Sequence, residues 1–397
     1  MELFLQCGWG MMDLSKELVR DEVVSTVILS PRDLKPKQVR GFSKVLLSMN
    51  GCVLLDPQFY LPRSNHKRLN SHEFWPDNYD TEEFDKNSQI SMIKNLYELN
   101  LEIETRDFII PGEKAIEVND LWLKNQMFFY ETAKSISKIP LILTICLSAD
   151  VLKDNDQINL VMQFVESTDA DYYYLVLEHP SEDYLVDDPV WLCNVLNLAC
   201  GISLRNKDVI IGYSNQQQLF MTCAGVKAIA SGNYKNVRRF ATERFMESSN
   251  DPNAHPTRSV WFYSSTTLSE FQLSYIDIAL QLGFDPSFFT HPPATKYTEQ
   301  LFSVTQPSLS GWGEREAFRH YLIELKKQTQ LLSSPSYIES FEKCMEHLCD
   351  SSNRLVYLHD KGIVGKDRDF SSALQPTITS LNYLNEIFGA RLKRSYI

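Results

Sequence analysis

The chain has 397 residues, a formal charge of -12 at pH 7 and 43% hydrophobic residues, the composition of a globular protein with enough apolar side chains for a large core. That acidity excludes a protein that coats nucleic acid through overall charge, although it leaves room for a local basic site. The length suits two or three domains, or one β/α barrel of roughly 250 residues followed by a further domain.

No stretch approaches the ~18 consecutive apolar residues that span a bilayer. The opening MELFLQCGWGMMDLSKE lacks the basic start of a signal peptide, so a cytoplasmic protein without membrane contact is expected. The eight cysteines, at 7, 52, 146, 193, 200, 223, 344 and 349, form no CxxC or CxC pair. They read as reduced, buried thiols. Cys344, His347 and Cys349 come closest to a cluster, but they fall on an amphipathic helical pattern and lack zinc-ligand spacing. No metal and no cofactor are expected.

The first 240 residues repeat one phrase, in which a short apolar run is followed by a helical stretch. The runs are Leu3–Cys7, Thr26–Leu29, Cys52–Leu55, Phe108–Ile110, Leu141–Leu147, Tyr172–Leu177, Val209–Ile211 and Ala228–Ala230. Continuous apolar runs are what parallel strands buried on both faces require. Between them lie helical patterns at Pro36–Ser48, Ile90–Leu99, Asn119–Ser135, Asp156–Glu166, Val190–Leu198 and Gln216–Cys223. Eight such units predict an α/β protein of the TIM (β/α)8 type over residues 1–246. A doubly wound open sheet is the alternative; it would normally show a glycine-rich first turn, and Gly8–Trp9–Gly10 is too short for one. The polar stretch Arg63–Lys86 reads as an insertion over the barrel mouth, and Glu247–Thr257 as the exit from the barrel. Residues 258–397 predict a mostly helical C-terminal domain, with helices over Leu268–Leu282, Glu314–Leu332, Ser336–Gly362 and Leu374–Leu392. The third of these carries Ile338, Phe341, Met345 and Leu348 on one face. This domain is expected to serve as a lid, a partner surface or the face of a homodimer.

In a TIM barrel the chemistry sits at the carboxyl ends of the strands. The carboxylates found there are Asp56 and Glu178, with Glu113 less well placed. Two carboxylates across a mouth could run glycosyl chemistry, one as nucleophile or base and the other as acid. Alternatively each only orients a loop or pairs with an arginine. Candidate substrate-binding residues at the same ends are Gln58, Tyr60, His179, Tyr213, Asn215, Ser231 and Asn233. Basic residues gather after the third strand (Arg63, Lys67, Arg68) and after the eighth (Lys235, Arg238, Arg239, Arg244). They are candidates for binding phosphate or nucleic acid, or for salt bridges within the acidic surface. Trp9, Phe59, Tyr60 and Tyr213 could stack a planar base, or simply pack.

The stretch Val209–Arg239 (VIIGYSNQQQLFMTCAGVKAIASGNYKNVRR) resembles the last two strands of tRNA-guanine transglycosylases. Gly212, Leu219 and Gly225 fall where that pattern places them, and Asp56 in LLDPQFY stands where the family has its base-recognising aspartate. The resemblance spans about the first 240 residues and implies a barrel that binds a nucleobase, in the pentosyltransferase class if active. The departures are specific. No carboxylate lies between Gly225 and Phe240, where the family keeps its nucleophile, and the family zinc motif has no counterpart. LVLEHP replaces the base-holding Gly-Gly-Leu segment. Zinc-free transglycosylase-like proteins also occur in anti-phage gene clusters, in type IV CBASS and deazaguanine DNA-modification systems. The resemblance therefore implies one component of a multi-protein defence or modification pathway, with a nucleic acid or a protein of that pathway as partner. Two other functions stay open: a non-catalytic dimeric interaction module, and a small-molecule glycosyl hydrolase with Asp56 and Glu178 as its pair.

Overall fold

A computed structural model of the chain describes residues 1–61, 66–76, 85–246 and 259–395. All eight apolar runs form strands, and a two-residue ninth joins them. The strands are β1 (Glu2–Gln6), β2 (Thr26–Leu29), β3 (Cys52–Leu55), β4 (Phe108–Ile109), β5 (Lys114–Ala115), β6 (Leu141–Leu147), β7 (Tyr172–Leu177), β8 (Asp208–Ile211) and β9 (Ala228–Ser231). They pair in the order β3-β2-β1-β9-β8-β7-β6-β4, and β5 extends the far end of β6. Every pairing in this sheet is parallel. The first and last strands lie side by side, with Leu3 opposite Ile229, so the sheet curls back on itself.

The curl does not close into the expected ring. Among the described residues no ladder joins β3 to β4; the two come into contact, with the amide of Arg106 donating to the carbonyl of Val53 at 3.2 Å. The physical reason lies in β4. It is two residues long and runs into Ile110–Pro111–Gly112, and Pro111 has no N–H to give to a neighbour. The result is a curled, mixed α/β half-barrel with a seam, flanked outside by the predicted helices. Their starts are capped by local side chains, as by Asn119 on the Trp122 amide and Asp188 on the Val190 amide. Gln216–Ala224 is a 3-10 helix, and a first helix, Met12–Arg20, was not anticipated.

The C-terminal part is mostly helical, with one correction. Its expected first helix, Leu268–Leu282, begins only at Leu273. Before it, β10 (Trp261–Ser264) and β11 (Ser269–Gln272) form an antiparallel hairpin, Ser264 opposite Ser269. Leu268, at a φ of 55°, takes the left-handed turn position. Of the predicted apolar face, Leu348 is fully buried, Phe341 and Met345 are half-buried against the core, and Ile338 is 45% exposed. One continuous apolar core runs from the parallel sheet into these helices. Described residues 66–76 of the insertion are anchored beside the loop after β2: the His72 Nε2 sits 2.9 Å from the Pro31 carbonyl and 3.0 Å from that of Leu34. Arg63 and Glu247–Thr257 lie outside the described residues. No helix among the described residues is long and apolar enough to cross a membrane.

Candidate functional site

Side chains on or just after four of the strands, β1, β3, β7 and β8, converge on Asp56, which is 0% exposed. Its Oδ1 accepts from the backbone amide of Gln58 at 2.9 Å. Its Oδ2 accepts from the hydroxyls of Tyr60 at 2.7 Å, Tyr213 at 3.0 Å and Tyr174 at 3.3 Å, and from Gln6 Nε2 at 3.4 Å. Gln58 closes the network: its Nε2 donates to Tyr213 and Ser30, and its Oε1 accepts from the Arg32 amide. Burial pushes the Asp56 carboxyl above the usual range, against the pull of the tyrosine hydrogen bonds. Burial, reinforced by the Asp56 charge, also holds the phenols of Tyr60, Tyr174 and Tyr213 well above their ordinary value, so they remain donors.

Two residues of this cluster carry backbone strain. Gln58 and Tyr213 sit at φ +57° and +52°, a left-handed conformation that costs a non-glycine residue about 1–3 kcal/mol and tends to gather at functional sites. Gly212, just before Tyr213, is required for another reason: a Cβ there would lie 2.4 Å from the Tyr174 hydroxyl. Gly212→Ala is therefore expected to displace Tyr174 from Asp56 and to lower stability by about 1–3 kcal/mol. Denaturant unfolding checks this; a Tyr174→Phe background should absorb part of the loss.

Asp56 does not stand at the floor of an open cleft. Phe240 and Phe245, from the segment after β9, cover the cluster. Their rings stack at 5.5 Å, each lies 5.1 Å from the Tyr60 ring, and they lie 5.6 and 6.2 Å from that of Tyr213. Glu178, one residue past β7, is outside this cluster. Its carboxylate takes Lys114 Nζ at 2.8 Å, the Thr242 hydroxyl, and the Ala149 amide at 3.2 Å. Burial pushes its carboxyl up, but the bonds from Lys114 and Thr242 outweigh that and hold it below the usual range. The opposite shifts of Asp56 and Glu178 match those of an acid and a nucleophile. Asp56, however, offers no exposed surface to a sugar.

The other sequence candidates divide by role. His179 is buried, packs edge-on to Trp191 and bonds through Nδ1 to the Asp183 carbonyl at 2.9 Å; burial drives its imidazole down to about 4. Asn215 caps the following 3-10 helix through the Gln217 amide and reaches the Tyr184 carbonyl. Ser231 is buried at the end of β9, and Asn233 donates to the Trp9 carbonyl at 3.0 Å. Among the basic residues, Lys67 is exposed and Arg68 and Arg239 are half-buried. Lys235 pairs with Asp367. Arg238 is buried, paired with Glu270 at 3.3 Å and stacked 3.4 Å from the Tyr321 ring. Arg244 is paired with Asp33. Much of the expected basic rim thus binds the chain to itself. Trp9 is 67% exposed, whereas Phe59, Tyr60 and Tyr213 are buried.

Sequence reasoning missed Tyr174, which lies inside a continuous apolar strand, and the covering pair Phe240 and Phe245. Among the described residues no group of three His, Cys, Asp or Glu side chains is placed to hold a metal. No family model matches this chain, and no curated protein matches it.

Proposed function

We propose that the chain is a transglycosylase-like α/β protein that binds a nucleobase, free or within nucleic acid, at the carboxyl ends of its parallel strands, and that it does so without exchanging the base. The convergence on Asp56 carries this reading. The Asp56 carboxyl accepts, and the two glutamines and three phenols around it can donate and accept, so together they offer the mixed donor and acceptor set that the edge of a base requires. Base exchange through a covalent glycosyl intermediate needs a carboxylate at the anomeric carbon. The last strand has Ala230 and Ser231 there, and no acidic residue follows before Phe240. Service in a defence or modification pathway, alongside enzymes that supply or use modified bases, follows from the same reading.

Entry of a base requires Phe240 and Phe245 to move aside. Phe245→Leu shrinks the cover at modest cost to packing. Calorimetric titration with guanine and adenine should show binding strengthened in Phe245→Leu and lost when Asp56→Asn is added. Incorporation of labelled guanine into RNA or DNA should stay at background in every variant. If Phe245→Leu binds no base, the reading fails. In that case the sealed mouth favours a second reading: an interaction module, docking through exposed side chains such as Val356, Tyr357, Tyr383 and Ile387 of the last two long helices.

A further inference from the structure

A second feature lies beside the sealed mouth. A groove of about 730 Å³ opens between the loops after β1 and β9, the helix Met12–Arg20 and the helix Glu314–Leu332. Trp9, Asn233, Tyr234, Arg315 and Phe318 line it. Its volume falls within the range of small-molecule sites. Asn233, Tyr234, Glu314 and Phe318 also line a smaller cavity of about 60 Å³ that reaches Trp261 and Arg368, so the two form one path.

Three observations point to its ligand. Trp9 is the most exposed tryptophan or tyrosine among the described residues, at 67%. Its backbone is held by Asn233, so a large apolar ring stands in solvent on a fixed support. Next, the lining carries two further aromatic rings: Tyr234 and Phe318 meet edge-on at 4.7 Å. Finally, the charges are biased. In a protein of net charge -12, basic side chains outnumber acidic ones along the path. Most of those basic residues are already paired, Lys16 with Asp13, Arg20 with Asp21, Arg319 with Glu17, Lys235 with Asp367, and Arg238 and Arg368 with Glu270, whereas exposed Arg315 makes no ion pair among the described residues. Aromatic rings for stacking, set beside a guanidinium, are the elements that hold a base and its phosphate.

We infer that this groove binds a nucleotide, its base stacked on Trp9 and its phosphate held by Arg315. The nucleotide is either free or one unit of a single strand. The inference rests on the base-binding reading for its ligand class but uses a different site.

The test titrates the full chain with guanosine and adenosine monophosphates and, separately, with ten-residue single strands of RNA and DNA. Trp9→Ala should weaken whichever ligand binds by about tenfold or more, with Trp9→Phe restoring most of the affinity. Arg315→Ala should weaken it too and, if a single strand is the ligand, reduce the slope of log affinity against log salt by about one. Retention of full affinity in both Trp9→Ala and Arg315→Ala overturns the groove. If Asp56→Asn alone abolishes binding, the ligand sits at the mouth: the base-binding reading then stands and the groove does not. Absence of binding to every probe at low salt overturns the groove assignment, whereas the reading of the mouth is decided by the Phe245→Leu titration.

Discussion

Asp56→Ala is expected to destabilise the protein strongly, lowering the unfolding free energy by about 3–5 kcal/mol. The carboxyl accepts from one backbone amide, one glutamine and three phenols, all of them buried. Truncation takes this acceptor from the Gln58 amide and the Tyr60 and Tyr213 hydroxyls, while Tyr174 keeps Gln6 Oε1 at 2.9 Å; a buried polar group stripped of its partner costs about 1–3 kcal/mol. A small cavity adds to the loss. Asp56→Asn keeps the shape and one carbonyl oxygen, and the phenols can rotate to donate or accept, so it should cost much less. Urea unfolding of the two variants checks the difference. Equal, small losses would mean that the cluster does not hold this end of the sheet together.

Acidification should bring the second large effect, through two buried histidines. Burial drives His347 down to about 3 and His179 to about 4. His347 lies 5.2 Å from the His291 ring and feels the charge of Arg354. Gln328 Nε2 stands 3.2 Å from its Nε2, while the Gln328 Oε1 is committed to the Tyr263 hydroxyl. In the neutral ring that nitrogen accepts from Gln328; once protonated it would face another donor. His179 is surrounded by Trp191 and the Asp183 carbonyl, and the charge of Arg239 opposes its protonation.

Both imidazoles are harder to protonate folded than unfolded. Their contribution is complete above pH 6.5 and is lost as pH falls toward their folded values, because there the unfolded chain binds more protons. Each contributes a slope of about 1.4 kcal/mol per pH unit, so the pair should remove about 4 kcal/mol between pH 6 and pH 4.5. Asp56 has the opposite sign: its raised carboxyl takes up a proton in the folded state first and offsets part of the loss. Urea midpoints from pH 7 to pH 4.5 measure the sum. His347→Gln should flatten the slope by about one proton, and an unchanged slope would show that His347 does not sense pH.

The strands were readable in the sequence because a strand buried on both faces writes itself as an unbroken apolar run; Leu141–Leu147 is buried at every position. The seam was not readable, since it depends on which edges meet after 52 residues of connection between Leu55 and Phe108 and on a two-residue β4. The strand Ser269–Gln272 falls inside the helix expected over Leu268–Leu282 because the Ser/Thr turn before it, residues 264–267, also looks like a capping run. Asp56 and three of its partners, Gln58, Tyr60 and Tyr213, stood out by their position at strand ends. Tyr174 did not, because an aromatic residue inside an apolar run gives no sign that its hydroxyl will turn inward. The basic residues were visible and their partners were not. Asp33 for Arg244, Glu270 for Arg238 and Asp367 for Lys235 lie far away along the chain, and ion pairs of that kind are set by packing.

The seam between β3 and β4 also bears on solubility. An open parallel sheet ordinarily ends in two edges whose free amides and carbonyls can template pairing with another molecule. Here each edge is turned toward the other, bridged by the Arg106 amide and the Val53 carbonyl, and β4 is buried throughout. The sheet thus gains most of the protection against intermolecular strand addition that a sealed cylinder has, because each of its two edges shields the other from approaching chains.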